Sequence, residues 1–391
     1  MATIQLPGRR RGLRDRLGQL HWMLIIMLSL LATAGVLTLY SVAGGNWQPW
    51  ALQHAMRFTV SLGLLIVFGL ISMRYWMALA YPIYFVALIA LALVPIIGEV
   101  NMGAQRWIDV GHFQFQPSEL MKVGLVLGLA RYYHGLRPEQ VSHILYLIPP
   151  AIMIGAPVGL VFIQPDLGTA MLLAATGLAI VFLAGLSWRL GLIGVLGAVA
   201  AGYSAYRFEI LKPYQIERIL TFMNPDRDPL GQGYHLLQSK IGLGSGGLAG
   251  KGYMLGTQSQ LKFLPEMQTD FIFTIFGEEF GFVGAFVLLS IYYAIILMGI
   301  GIALRAKTHF ARLTAMGIVV AFALYVLINT GMVMGLAPVV GVPLPLVSYG
   351  GTVMLTIMAG FGIVMSAHAS RDHEGLSRER LASANSVSWS G

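Results

Sequence analysis

The sequence predicts an all-α polytopic membrane protein of ten transmembrane helices, with a large extracytoplasmic loop between helices seven and eight. Three observations predict it. Of the 391 residues, 57% are hydrophobic and only 11% charged, against about 25% charged in a soluble domain. Ten apolar stretches approach the roughly 20 residues that a bilayer core requires. Basic residues fall in the two tails and in alternate short loops, as the positive-inside bias demands. This composition excludes a soluble globular domain, a disordered chain and a nucleic-acid-binding domain, so no nucleic acid is expected as a partner. The net charge of +8 then reports basic cytoplasmic loops. The absence of cysteine excludes a disulfide framework, Cys-ligated zinc and thiolate catalysis.

The spans run approximately over 21–43, 57–73, 77–98, 119–136, 143–163, 167–186, 189–206, 280–304, 313–336 and 352–369. The first follows a basic start but is long enough to cross, and no clear cleavage site follows it. The fourth is the least hydrophobic. Residues 1–20 are expected as a cytoplasmic tail, 21–369 as a single membrane domain that includes the outer loop 207–269, and 370–391 as a second cytoplasmic tail. Arg9, Arg10, Arg11, Arg14, Arg16, Arg74, Arg131, Arg137, Arg189, Arg305, Lys307, Arg312, Arg371, Arg378 and Arg380 fix the inner side. The loop 207–269 is basic yet lies outside, because long segments translocate largely regardless of charge. The last 20 or so residues are polar and Ser-rich and are expected to be loosely ordered. The uncharged, Pro- and Gly-rich stretch 337–351 cannot face lipid with free backbone groups. It is expected to pack on protein or line a cavity.

Ionisable residues at the membrane are costly and therefore informative. Glu119 and Lys122 stand three apart at the outer end of span four and share a helix face. They either line a polar cavity, with Lys122 holding an anionic substrate, or form an ion pair that neutralises itself. Asp270 opens an apolar run at the outer interface. It is either a general base or cation ligand, or merely the cap of a helix beginning at Phe271. Glu266 reads as a solvated loop residue. Of Glu278 and Glu279, at least one should face the bundle interior. The loop 207–269 carries Lys212, Arg218, Lys240, Lys251 and Lys262 among aromatics and glycines. Its run 242–252 lacks the first glycine and the Ser/Thr of a Walker motif. It is either a backbone cradle for phosphate or a surface loop. Trp107 beside Arg106 suits an aromatic belt or a sugar-stacking platform. Arg57 either binds a lipid phosphate or snorkels. The nine His are scattered without metal-ligand spacing.

Four motifs in order resemble the SEDS family (shape, elongation, division, sporulation). They are Gly103-Ala104-Gln105-Arg106-Trp107-Ile108; Gln116-Pro117-Ser118-Glu119 with Lys122; Leu264-Pro265-Glu266 with Thr269-Asp270-Phe271; and Pro343-Leu344-Pro345 with Ser348-Tyr349-Gly350-Gly351. The resemblance covers roughly residues 20–370. The stretch from Asp226 to His235, with Gln238-Ser239-Lys240 and Gly256-Thr257-Gln258-Ser259-Gln260, is similar to the family's elongation branch. The resemblance implies a glycosyltransferase that polymerises lipid II at the outer face of the bacterial inner membrane. It implies work beside a class B penicillin-binding protein and other elongation-complex proteins. It places the essential acid on Asp270 and the sensitive tryptophan on Trp107. Arg57, Arg106, Lys122, Arg218 and Lys240 are then the candidates to hold the pyrophosphate, with Glu119 and Ser348 also lining the substrate site. A divalent cation, magnesium or manganese, could assist. The rival expectations are a lipid II flippase, which needs a polar path at mid-depth, and a non-enzymatic scaffold for the penicillin-binding protein.

Overall fold

A helix occupies every stretch that the hydropathy marks. The computed structural model describes residues 17–387, apart from 102–103, 110, 112–113, 209–212, 225–226, 229–230, 262 and 265. The order is α1 (Trp22–Val42), α2 (Ala51–Leu70), α3 (Met73–Ile97), β1 (Glu99–Asn101), β2 (Ala104–Asp109), β3 (Gln114–Phe115), α4 (Pro117–His134), α5 (Pro138–Val141), α6 (Ile144–Ile163), α7 (Leu167–Leu183) and α8 (Trp188–Arg207). Then follow α9 (Pro213–Met223), α10 (Gln232–Ser245), α11 (Thr257–Gln260), α12 (Ile272–Leu304), α13 (His309–Met334) and α14 (Gly351–Val387). Among the described residues, seven helices are long and apolar enough to cross a membrane: α1, α2, α3, α6, α12, α13 and the first 20 residues of α14. Helix α7 is apolar but shorter, at 17 residues.

Helix α4 explains why its sequence signal is weak. Thirteen of its 18 residues are buried, and it packs against α3, α6, α7, α13 and α14. A helix surrounded by protein has no lipid to face, so its stripe need not be uniformly apolar. Pro117 starts it at a position where the missing N–H costs nothing. The prolines inside α3 and α6 are tolerated because neighbouring helices re-satisfy the freed backbone groups.

Two features depart from the sequence-based expectations. The eighth span was expected to begin at 280, but the helix begins at Ile272. It is two helices joined at Gly281, whose φ of 67° and ψ of −166° are open only to glycine. The glycine run closes this break. Phe282 N–H donates to Gly247 C=O (2.8 Å) and Val283 N–H to Leu248 C=O (3.1 Å). In return Lys251 N–H donates to Glu278 C=O (3.0 Å) and Gly252 N–H to Glu279 C=O (3.1 Å). The acids that cut the apolar run short are both buried. The Glu278 carboxylate accepts Lys251 Nζ (2.6 Å), Thr257 Oγ1 (2.7 Å) and two backbone N–H groups, and Glu279 accepts Ser41 Oγ. The run 242–252 is therefore a largely exposed or half-buried surface segment whose backbone is pinned to α12 rather than held open for a phosphate. Second, the C-terminal tail is not irregular. Helix α14 continues to Val387, through a stretch that includes the good helix formers Arg378, Glu379, Arg380, Leu381 and Ala382. The last four residues lie outside the described ones.

The 337–351 stretch packs on protein as expected. His54 Nε2 meets Leu346 C=O at 2.9 Å, Tyr292 OH donates to Pro345 C=O (2.5 Å), and Asn329 Nδ2 donates to Val342 C=O (2.7 Å). Helix α1 passes so close that a Cβ at Gly35 would lie 2.7 Å from Leu346 O.

Candidate active site

Asp270 sits on a tight turn in front of α12. The N–H groups of Thr269, Asp270 and Phe271 converge on the carbonyl of Glu266, at 3.1, 3.2 and 3.4 Å. Glu266 itself has φ of 52°, a conformation a non-glycine residue adopts only when its surroundings impose it. Its carboxylate accepts Gln268 Nε2 and Thr269 Oγ1, both at 3.1 Å. Glu266 is thus a half-buried brace of the turn and not a solvated loop residue.

The 337–351 stretch clamps this turn. Ser348 Oγ donates to Thr269 C=O (2.5 Å) and accepts Leu344 N–H (2.7 Å). Tyr349 N–H donates to Gln268 C=O (2.8 Å). Asn329 of α13 ties Asp270 C=O (2.9 Å) to Val342 C=O. Every one of these bonds uses backbone at the turn, so the Asp270 side chain is left for other work. Helix α12 has Phe271 as N-cap and no side-chain cap bond, which removes the capping explanation for Asp270. The carboxylate lies beside Gly341, where a Cβ would stand 3.5 Å from Oδ2. Burial pushes the Asp270 pKa up to about 7, the charge of Glu266 adds to the rise, and Arg218 and Arg106 oppose it. A carboxyl group with a pKa near operating pH is suited to take up a proton.

Arg106, with Arg218, is one of the two expected cations whose charges act on Asp270. Its guanidinium lies 3.8 Å from Asp166 Oδ2 and donates to the carbonyls of Gln164 and Pro165. Asp166, 5% exposed, also caps α7 through Thr169 N–H (3.1 Å). Trp107, the next residue along β2, pairs with Glu99 of β1. The register shifts here, from Glu99 opposite Trp107 to Val100 opposite Gln105, so Arg106 is the extra residue of a bulge. Arg57 stacks on the Tyr349 ring, 4.6 Å from its centroid, and reaches the start of α14, where a Cβ at Gly351 would lie 3.1 Å from its Nε. Arg218, on α9, acts on Asp270 through its charge. Lys240 lies over the C-terminal end of α13. A Cβ at Gly335 would come within 2.6 Å of its Nζ, and the helix dipole favours a cation there.

Glu119 and Lys122 form a closed buried network. They are 3% and 5% exposed, and their charges meet at 2.6 Å. Tyr325 OH donates to Glu119 (2.8 Å) and also meets Lys122 Nζ, and Thr356 Oγ1 adds a bond at 3.3 Å. The adjoining cavity is about 40 Å³, room for roughly one water. This geometry supports the self-neutralising pair. Lys122→Ala alone leaves Glu119 uncompensated and should cost about 3–5 kcal/mol. Glu119→Gln with Lys122→Met removes both charges and should restore most of that stability, read as melting temperature in detergent, with polymerisation retained. Loss of polymerisation in a folded double variant would assign Lys122 to the substrate.

The sequence reading missed two site residues. Asp166 is the acid between spans five and six, on the outer side by the charge pattern. Asn329 is a lone amide in an apolar span, and polar groups there seldom lack a task.

Residues 16–373 match the model of the cell cycle protein family FtsW/RodA/SpoVE. The chain belongs to this family. It is 44% identical over 352 residues to the peptidoglycan glycosyltransferase MrdB of Escherichia coli (strain K12), covering 89% of this chain and 93% of that one. Among solved structures it is similar to a chain of a peptidoglycan synthase complex described as coordinating polymerization and crosslinking. There the TM-score is 0.77 and the identity 34%, over 90% of this chain and 98% of that one. It is also similar to the crystal structure of the rod shape determining protein RodA of Thermus thermophilus. That match has a TM-score of 0.66 and 29% identity, over 90% of this chain and 97% of that one. The FtsW/RodA/SpoVE match spans all the site elements described above.

Proposed function

We infer that this chain is a peptidoglycan glycosyltransferase that polymerises lipid II during cell elongation, in the inner membrane and beside a class B penicillin-binding protein. One observation carries the catalytic assignment: the Asp270 carboxylate projects from a turn whose backbone is held from three sides while the side chain caps nothing. Supporting it are the family membership and the names of the E. coli relative and of the synthase complex.

In the reaction, the acceptor sugar's 4-hydroxyl oxygen attacks the anomeric carbon of the donor. The new C–O bond forms as the bond to the phosphate oxygen breaks, and Asp270 takes the hydroxyl proton. Undecaprenyl pyrophosphate leaves with the electron pair. Arg106 and Arg218, whose charges already act on Asp270, are nearest to offset the developing negative charge. Arg57 stands at the N-terminal end of α14, where the helix dipole also favours an anion. Ser348 positions Asp270 through Thr269 and does not itself need to touch substrate. Glu119 and Lys122 are taken up by each other and by Tyr325, and Lys240 lies against Gly335. Among the described residues, no group of three His, Asp or Glu could cage a metal ion. A magnesium or manganese ion would instead be held by one or two carboxylates together with the substrate pyrophosphate, and would supply positive charge to the leaving group.

The finer topology belongs to the same proposal. We take α4, α7 and α8 as three further crossings, giving ten, with both termini cytoplasmic and Asp270 at the outer end. Arg74, Arg189, Arg305 and Arg312 at the opposite ends support this. The test is lipid II polymerisation by the purified protein with its partner transpeptidase, in the presence of an inhibitor of the unrelated class A glycosyltransferases. Long glycans are expected. Transfer of labelled lipid II across vesicles without polymer would instead make the chain a flippase. Ser348→Ala should lower polymerisation by up to about 100-fold through misplacement of Asp270, without loss of folded protein.

A further inference from the structure

The helices that surround Asp270 meet again at their other ends. Arg57, Asn329 and Gly351 lie near the Asp270 turn on α2, α13 and α14. Leu70, Phe310 and Ser366 of the same helices line a cavity of about 450 Å³. Along α14 the separation is 15 residues, or about 22 Å at 1.5 Å per residue. This cavity therefore belongs to the opposite membrane face and takes no part in the chemistry.

Its lining has a definite character. Arg74, His134 and Lys307 contribute positive or titratable groups, and no Asp or Glu is among the described lining residues. Neither Arg74 nor Lys307 forms an ion pair among the described residues. Two helices begin at the rim. Helix α3 starts at Met73 behind Ser72, which makes no side-chain cap bond, and α13 starts at His309 behind Thr308. Both present N-terminal dipole ends to the same space. The wall is apolar through Met73, Met77 and Phe310. On α3 the apolar surface continues along the same face, one and two turns beyond Met77, through exposed Tyr81 and Phe85.

We propose that this cavity binds the phosphate headgroup of an anionic phospholipid of the cytoplasmic leaflet, its acyl chains lying along α3. Basic pockets between membrane helices on this side suit such headgroups. The continuous apolar wall favours a lipid over free phosphate. The placement on the cytoplasmic side rests on the orientation proposed above.

The test uses the full chain in detergent and measures retained lipid by native mass spectrometry after exposure to equal phosphatidylglycerol and phosphatidylcholine. Phosphatidylglycerol should be retained preferentially. Arg74→Gln with Lys307→Gln should weaken its retention by about 25-fold, at about fivefold per cation, with an unchanged melting temperature in lipid-free detergent. Equal retention of both lipids would overturn the proposal, as would full phosphatidylglycerol retention by the variant. Complete displacement by millimolar inorganic phosphate would also overturn it, in favour of a free-anion site. Should the double variant misfold, the single variants Arg74→Gln and Lys307→Gln must each show the fivefold loss. Because the chain has no cysteine, Lys307→Cys can report the side independently. Labelling by an impermeant maleimide from outside the cell would sink the orientation while leaving the lipid measurement standing.

Discussion

Asp270→Asn lowers lipid II polymerisation by about 10²–10⁴-fold, the usual worth of a general base. The change is nearly isosteric, and the bonds that hold the turn end on Thr269 and Asp270 carbonyls and on Gln268, not on the carboxylate. The fold should therefore survive, and its stability should move in the opposite sense to activity. Burial raises the Asp270 pKa from 3.8 to about 7 in the folded protein. The folded state therefore prefers the neutral acid. That preference contributes fully below the unfolded value and is lost as pH rises through about 7. At pH 8 the wild type carries a disfavoured charge that Asn does not. The variant should then melt at or above the wild-type temperature while making little or no glycan. A variant that is both inactive and clearly destabilised at pH 8 would point to a structural role.

Gly281→Ala should be among the most damaging single-methyl changes at the described residues. The position combines φ of 67° with ψ of −166°, and a Cβ there would stand 2.7 Å from Leu248 O. The backbone conformation alone costs about 1–3 kcal/mol for a non-glycine residue. The displaced loop would also surrender the bonds of Phe282 and Val283 to Gly247 and Leu248, and with them the seating of Lys251 on Glu278. A combined loss of several kcal/mol follows, at about 1 kcal/mol for each hydrogen bond. The measurement is melting temperature in detergent together with protease cleavage within 242–261. Wild-type values for both would show that the break is not held by the glycine run.

The path from sequence to structure differs from element to element. Long apolar stretches such as 22–42 and 144–163 declare themselves because lipid tolerates little else. Helix α4 is faint because protein surrounds it, and its charges cancel in a pair that a hydropathy window cannot see. The break at Gly281 is hidden for a related reason. Glu278 and Glu279 read as the edge of a span, whereas partners from 245–258 and from Ser41 let both be buried inside one. Asp270 was marked by its place at the interface, but spacing could not separate a cap from a base. That distinction needed the clamp from Ser348 and Asn329, which lie about 60–80 positions away along the chain. Asp166 was visible only as a lone acid in a three-residue outer loop. Its tie to Arg106 is a tertiary fact. Lys240 shows the same limit: its charge in the loop 207–269 was legible, but its seat over the end of α13 was not.

The most direct test of the central claim is the pH dependence of kcat/KM for lipid II polymerisation by the protein with its partner. The account predicts a single acid limb with a midpoint near 7, below which activity falls tenfold per pH unit as Asp270 takes up its proton. A rate that stays level down to the ordinary carboxylate range would contradict a raised general base at Asp270.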